Sequence, residues 1–185
     1  EDFKNKFGNQ TSEGTSHGIL ANKLSENLGK NIYFVPRIYA DELIEDNPYY
    51  LKDLGSVLNR KTKIFYCGKD VVSKNLTSFS KVNKILGNEI IFWDNYYAND
   101  YCPRRFFIGP YVRREKLKKI MINPTGLINT DLLILDIFAS SIKHKPSTNE
   151  WLSILNEHGV PNIFNKVKHF FLKPNFGSNP LPNSF

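Results

Sequence analysis

The residues best suited to chemistry lie together in the stretch Ile90–Pro110, where an apolar run, Ile90-Ile-Phe-Trp93, gives way to Asp94, Asn95, Asn99 and Asp100 among Tyr96, Tyr97 and Tyr101. A short apolar run bounded by polar residues makes a buried parallel strand. Polar groups directly after such a strand reach the rim of a core, and at the carboxyl ends of strands in open α/β sheets and α/β barrels that rim is where ligands bind. A sugar ring has apolar C–H faces and an edge of hydroxyls, so tryptophan, tyrosines, amides and carboxylates in one place suit a carbohydrate. The competing reading puts the aromatics in the core and makes Asp94 and Asp100 turn formers or helix caps.

The order of these residues resembles the signature of glycoside hydrolase family 84, the retaining β-N-acetylglucosaminidases. In that family a strand ends in Trp-Asp-Asn and is followed by Asn-Asp-Tyr, an Arg-containing segment and Leu-Gly-Pro. Here the elements stand as Trp93-Asp94-Asn95, Asn99-Asp100-Tyr101, Arg104-Arg105 and Ile108-Gly109-Pro110. Earlier, Pro36 and Tyr39 match a family strand ending in Cys-Pro-Thr-Glu-Tyr, from which Val35, Arg37 and Ile38 depart. Tyr66-Cys67-Gly68 and Val71-Val72-Ser73-Lys74 resemble Trp-Thr-Gly followed by Val-Val-Ser-Lys, and Asn123-Pro124 resembles the Asn-Pro of the last barrel strand.

The resemblance implies a substrate site. Tyr39 would line the sugar pocket near the acetamido group, and Cys67 and Val71 would wall the space for the acetyl methyl. Trp93 would be the apolar floor, Asn95 and Asn123 would hold the acetamido group or hydroxyls, and Asp100 would accept from two sugar hydroxyls. The implied reaction is retaining hydrolysis of β-linked N-acetylglucosamine, with the substrate's acetamido oxygen as nucleophile. The family's two adjacent catalytic aspartates should lie upstream of Glu1, so no catalytic residue is assigned to this chain. Glu1-Asp2 is a diverged alternative, though no apolar strand precedes it. Taken on its own, Cys67 suggests a nucleophile, but no nearby histidine supports that role.

The elements that must position these residues follow from periodicity and punctuation. Leu20, Leu24 and Leu28 recur at helical spacing between Thr15 and the stop at Gly29, and Asn31–Pro36 reads as a strand. Asn47-Pro48 opens a helix with Leu51, Leu54 and Leu58 as its buried stripe, and Lys63–Cys67 is the next strand. Thr77 or Ser78 caps a helix that turns Val82, Ile85 and Leu86 inward and ends at Gly87. After the Ile90–Trp93 strand come a helix over Arg113–Lys119 and a strand, Ile120–Ile122. Thr130 then caps an apolar helix through Leu132, Leu133, Leu135, Phe138 and Ile142, expected to be buried on most sides. Ser147-Thr-Asn-Glu150 is a capping box for a helix carrying Trp151 and Leu155 and stopped at Gly159. Four such strand–helix units predict an α/β fold, the second half of a (β/α)8 TIM barrel over residues 1–172, with an irregular tail over 173–185. A half-barrel has open edges, so the apolar surfaces of Ile64, Phe65, Ile91 and Phe92 are expected to be available to the missing N-terminal half or to self-association.

Bulk properties exclude other classes. A chain of 185 residues, 41% of them hydrophobic, can bury one sizeable core. The formal net charge of +7 is spread along the sequence, and the one dense basic run, Arg113–Lys119, reads as a solvated helix face rather than a phosphate-binding patch. Two cysteines make no disulfide framework, and the four histidines are scattered without metal-ligand spacing, so neither metal nor cofactor is expected. No apolar stretch approaches the roughly twenty residues that cross a bilayer. The expectation is therefore a cytoplasmic protein with no membrane or nucleic-acid partner, acting on an N-acetylglucosamine-containing glycan or modified protein. Two alternatives stand beside it: a non-catalytic N-acetylglucosamine-binding protein, and a basic α/β domain that binds nucleic acid with salt-sensitive affinity.

Overall fold

A computed structural model of the chain describes residues 11–74, 79–100, 106–111 and 119–172. Glu1-Asp2, the cap candidates Thr77 and Ser78, Tyr101, Cys102, Arg104-Arg105, the expected basic helix up to Lys118 and the tail from Lys173 lie outside those residues. The chain falls into two compact units, Glu1–Val71 with Asn75–Trp93, and Val72–Lys74 with Asp94–Phe185.

The first unit holds α1 (Glu13–Leu28), β1 (Tyr33–Phe34), a 3-10 turn at Asp41–Asp46, α2 (Tyr50–Val57), β2 (Lys63–Tyr66), α3 (Ser80–Leu86) and β3 (Ile90–Asp94) as far as Trp93. Its strands run parallel, Tyr33 opposite Lys63 and then Ile64 to Tyr66 opposite Ile90 to Phe92. Alternation gives each strand two faces. Phe34, Ile64, Tyr66 and Ile90 turn toward the helices, where they pack with Leu51, Leu54, Leu58, Val82 and Leu86. Full burial of one such aliphatic side chain contributes about 1.5–3 kcal/mol, so the stripe expected on α2 is the main clamp between helix and sheet.

Several expectations need correcting here. On α1 the buried residues are Gly14, Gly18 and Ala21, whereas Leu20, Leu24 and Leu28 are exposed. The cause is close approach to α2: a Cβ at Gly14 would lie 2.3 Å from the Tyr50 carbonyl oxygen, and one at Gly18 would lie 2.5 Å from Val57 Cγ2. Periodicity finds the leucine stripe, but only the small-residue face lets the two helices touch. On α3, Val82 and Leu86 are buried while Ile85 is more than a third exposed. Ile64, Phe65, Ile91 and Phe92 are not available surfaces either, since all four are buried. Ile64 meets the helix layer, Phe92 meets Phe79, and Phe65 is sandwiched between the rings of Tyr33 and Trp93.

The second unit holds β4 (Ile120–Ile122), α4 (Ile128–Lys143), α5 (Thr148–Glu157), the short α6 (Phe164–Val167) and a 3-10 turn at Lys168–Phe170. Its strand follows Asp94 in the sheet, where the Asn123 N–H donates to the Asp94 carbonyl at 2.9 Å, and the strand order is β1-β2-β3-β4. The core is built on rings: Tyr96, Tyr97, Phe107, Tyr111 and Trp151 with Leu133, Ile134, Ile137 and Leu155. Helix α4 buries Leu133, Ile134, Ile137 and Ser141, while Leu132, Leu135 and Ile142 stay about half exposed, so it is not covered on most sides. Nor does Thr130 cap it. The helix starts at Ile128, and its entry is tied instead by Asp131, which accepts from Thr125 N, Thr125 Oγ1 and Gly126 N at 2.6–3.0 Å.

At α5 one half of the capping box forms: Ser147 Oγ accepts from Glu150 N at 3.1 Å. The Glu150 carboxylate turns to Ser140 Oγ at 2.7 Å and His144 Nε2 at 2.8 Å on the α4 side. Four parallel strands alternating with helices are thus in place. Among the described residues no helix is long and apolar enough to cross a membrane.

Candidate functional site

Within the first unit the loops that leave β1 and β2 are zipped together. Cys67 N donates to Tyr39 O at 2.7 Å, Asp41 N to Gly68 O at 2.9 Å and Glu42 N to Lys69 O at 3.0 Å. Tyr39 is flanked by the fully buried Ile38 and Ala40, so its backbone is fixed while its half-buried ring stays at the strand end. That ring lies 5.7 Å from Trp93, tilted by 38°, and Trp93 meets Phe65 edge-on at 6.1 Å. Tyr39 and Trp93, expected as pocket wall and floor, therefore make one aromatic surface at the carboxyl ends of β1 and β3. Cys67 is fully buried, and Val71 is half-buried with its N–H bound to the Glu42 carboxylate.

Two supporting residues here, Glu42 and Tyr66, were not among the expected site residues. Glu42 holds Val71 by its main chain, a contact that no spacing rule anticipates. Tyr66 donates to Asp41 Oδ1 at 2.7 Å, and burial together with this carboxylate pushes its hydroxyl pKa far above the usual tyrosine range. Tyr66 thus stays a neutral donor that pins the start of the 3-10 turn.

Within the second unit the signature residues divide into two groups. Asp94 is buried and accepts from Tyr96 N at 3.0 Å and from the Tyr111 hydroxyl. Tyr96 in turn donates to Pro110 O at 3.1 Å and Tyr97 to Gly109 O at 3.0 Å. These tyrosines are core, not sugar-facing, and they bind the Ile-Gly-Pro segment to the strand end. Burial raises the Tyr97 hydroxyl pKa well above the ordinary value. Gly109 is obligatory, since a Cβ there would come within 2.3 Å of the Leu172 carbonyl oxygen. Trp151 Nε1 completes the clasp by donating to Ile108 O at 2.7 Å.

The second group is polar. Asn123 Nδ2 donates to Asn95 Oδ1 at 2.9 Å, which brings two expected sugar-binding residues from the ends of β3 and β4 into direct contact. Asn123 is half-buried and Asp100, a few residues past the strand end, is exposed. Carboxylate and carboxamide at a strand rim can bind hydroxyls or an acetamido group, and hydrogen bonds to a charged acceptor are worth about 1.5–3 kcal/mol each. Among the described residues no cluster of His, Cys, Asp and Glu could hold a metal ion.

Comparison with known proteins matches residues 3–149 to the beta-N-acetylglucosaminidase family. The chain is 31% identical over 137 residues to Protein O-GlcNAcase of Rattus norvegicus, and to the same protein of Mus musculus, covering 67% of this chain and 15% of each relative. In fold it is similar to an O-GlcNAc hydrolase of Thermobaculum terrenum, solved as a mutant, with a TM-score of 0.68 and 21% identity over 92% of this chain and 40% of that one. The chain therefore spans well under half the length of these relatives.

Proposed function

The chain belongs to the beta-N-acetylglucosaminidase family, and from that premise we propose that it supplies one wall of a site for retaining hydrolysis of β-linked N-acetylglucosamine. Substrate-assisted catalysis needs the acetamido group held so that its oxygen reaches the anomeric carbon. In this reading Cys67 and Val71 wall the methyl, Tyr39 and Trp93 carry the apolar face of the sugar, and Asn95, Asn123 and Asp100 take its polar groups. The carboxylate pair that polarises the acetamido N–H and protonates the leaving oxygen comes from polypeptide upstream of this segment. Residues 1–172 are then the second half of the catalytic barrel and 173–185 a tail. The substrate is an N-acetylglucosamine glycan or a protein bearing that sugar, met in the cytoplasm.

The observation that best supports this reading is the Asn95–Asn123 contact. Two amides far apart in sequence, Asn95 buried and Asn123 half-buried, converge where β3 and β4 end. The test is Asp100→Ala in the longer protein. Asp100 is exposed, so stability should hold within about 0.5 kcal/mol while turnover of an aryl N-acetylglucosaminide falls by two orders of magnitude or more, about 2.7 kcal/mol in the transition state. Near-normal turnover would remove Asp100 from the site.

A further inference from the structure

Val71 lies past the end of β2, which stops at Tyr66. Cys67 is fixed by its N–H to Tyr39 O at 2.7 Å, and the chain then turns at Gly68, whose φ of +95 is a backbone setting that glycine takes without strain. Residues 69–71 continue in bends and a turn. Three hydrogen bonds tie this segment to the 3-10 turn: Asp41 N to Gly68 O at 2.9 Å, Glu42 N to Lys69 O at 3.0 Å, and Val71 N to the Glu42 carboxylate. The first two run between main-chain groups and hold whatever side chains are present. The third depends on a side chain, and it grips the residue assigned to the acetyl methyl. Glu42 itself has little slack. Before it, Tyr66 donates to Asp41 Oδ1 at 2.7 Å, and after it Leu43 and Ile44 pack against the aliphatic core of the first unit.

We propose that Glu42 is a positioning residue: its carboxylate fixes Val71 and thereby sets how large an N-acyl group the site accepts. This rests on the reading above, in which Cys67 and Val71 wall the methyl, and names the side chain that sets the width of that wall. Cys67 is fully buried and bound to the loop after β1, so the room left for the methyl is set by Val71. A main-chain N–H that donates to a carboxylate makes a charge-assisted bond, shorter and stronger than one to a neutral acceptor. With that acceptor gone, the segment keeps its bonds at Gly68 and Lys69 but loses the one that stops Val71 from receding. One added methylene in a packed apolar pocket is refused by about 10- to 200-fold, and a receding wall gives up part of that refusal. The acetamido oxygen is then also held less well. That costs turnover more than binding, because attack on the anomeric carbon depends on alignment.

The test uses the longer protein and two variants of nearly the same size. Glu42→Gln keeps an acceptor oxygen for the Val71 N–H, whereas Glu42→Met keeps the length and packing of the stem with only a weakly accepting thioether. The probes are aryl β-glucosaminides carrying an N-acetyl or an N-propionyl group. In Glu42→Met the acetyl-to-propionyl ratio of kcat/KM should fall at least about fivefold, and kcat for the acetyl substrate should fall about tenfold while its KM changes less than about threefold. Glu42→Gln should recover most of both. Equal losses in the two variants, or a ratio that Glu42→Met leaves unchanged, overturn the proposal. Val71→Ala separates that failure from failure of the site: if it lowers the ratio and Glu42→Met does not, the acetyl wall stands without Glu42, and if neither does, wall and proposal fall together. Where the unsubstituted protein turns over neither substrate, the ratio is read from the affinities of free N-acetylglucosamine and N-propionylglucosamine. The same shift there supports the role of Glu42 and removes the catalytic reading, and no binding of either sugar overturns both.

Discussion

The two units use the same residue types for opposite purposes. In the first, the sheet is backed by leucine, isoleucine and valine, and the rings of Tyr39 and Trp93 are left at the rim. In the second, the rings form the core, with the Tyr96 and Tyr97 hydroxyls and the Trp151 indole N–H bound to main-chain carbonyls and the Tyr111 hydroxyl to Asp94, and the rim is left to Asn123 and Asp100. The physical difference is what each ring can satisfy. A buried tyrosine needs an acceptor for its O–H, and the Ile108–Pro110 segment offers carbonyls that no strand partner takes. A motif rich in tyrosine is therefore not by itself a sugar pocket, because part of it holds the rest in shape.

The largest test of that contrast is Trp151→Ala. It removes a ring that is 2% exposed and orphans the Ile108 carbonyl, so it should cost about 3–5 kcal/mol in a denaturant titration. Amide protection in β2 should survive it better than protection around Tyr97; equal loss in both units would mean that they do not differ as described. Gly109→Ala should come close behind, since Leu172 backbone stands where the new methyl must go. A pair of hydroxyl deletions then sharpens the comparison. Tyr97→Phe strands the Gly109 carbonyl in a buried place and should cost about 1–3 kcal/mol. Tyr66→Phe frees Asp41, which is exposed and can turn to water, so its cost should stay near 0.5–1.5 kcal/mol.

The sequence showed the strands well and the covered faces badly. Lys63–Cys67, Ile90–Trp93 and Ile120–Ile122 are short apolar runs between polar stretches, and strands stand there to within a residue, whereas of Asn31–Pro36 only Tyr33–Phe34 is strand. The leucines of α1 share a face by spacing and those of α4 form a dense apolar run, but spacing cannot say what lies against either. Glycine contacts decided α1, and on α4 the side facing Tyr111 and Trp151 did. Asp131 displaced Thr130 as the organiser of the α4 entry because a carboxylate can accept three donors where a hydroxyl takes fewer. At the site, Tyr39 beside Trp93 and Asn95 beside Asn123 join residues that only an ordered family pattern links. The roles of Tyr96, Tyr97 and Asp94 had to wait for burial and hydrogen-bond partners.

Titration marks both units in the same direction. Burial pushes the Tyr50 hydroxyl up to about 12, and Tyr66 in the same unit and Tyr97 in the other are raised as well. A tyrosine raised in the fold keeps its proton while the unfolded chain loses its own near pH 10. The unfolded state then binds fewer protons, so stability is intact below about pH 10 and falls above it. Thermal unfolding between pH 9 and 11.5 should show this decline, and Tyr50→Phe should flatten it after allowance for a lower starting Tm. A flat profile in the unsubstituted protein would mean that these hydroxyls ionise freely.

The smallest expected effect lies on the surface of the second unit, where Glu150 links α4 and α5 outside the buried cluster they share. Its carboxylate takes Ser140 Oγ and His144 Nε2 instead of returning to the Ser147 N–H. The Ser140 hydrogen bond, followed by the one from His144, lowers its pKa below the usual 4.5. For a depressed carboxyl the sign is opposite to that of the tyrosines. The contribution is present above the unfolded pKa of about 4.3 and is lost as pH falls through the folded value. Glu150→Gln should therefore lower Tm slightly at neutral pH, and the gap to the unsubstituted protein should close on acidification, because both side chains are then uncharged. Exposed pairs of this kind are screened by water and salt, so the neutral-pH gap should also shrink in 1 M salt. A gap that persists unchanged at acidic pH would assign Glu150 a packing role and make the α4–α5 contact resemble the interior of its unit rather than its surface.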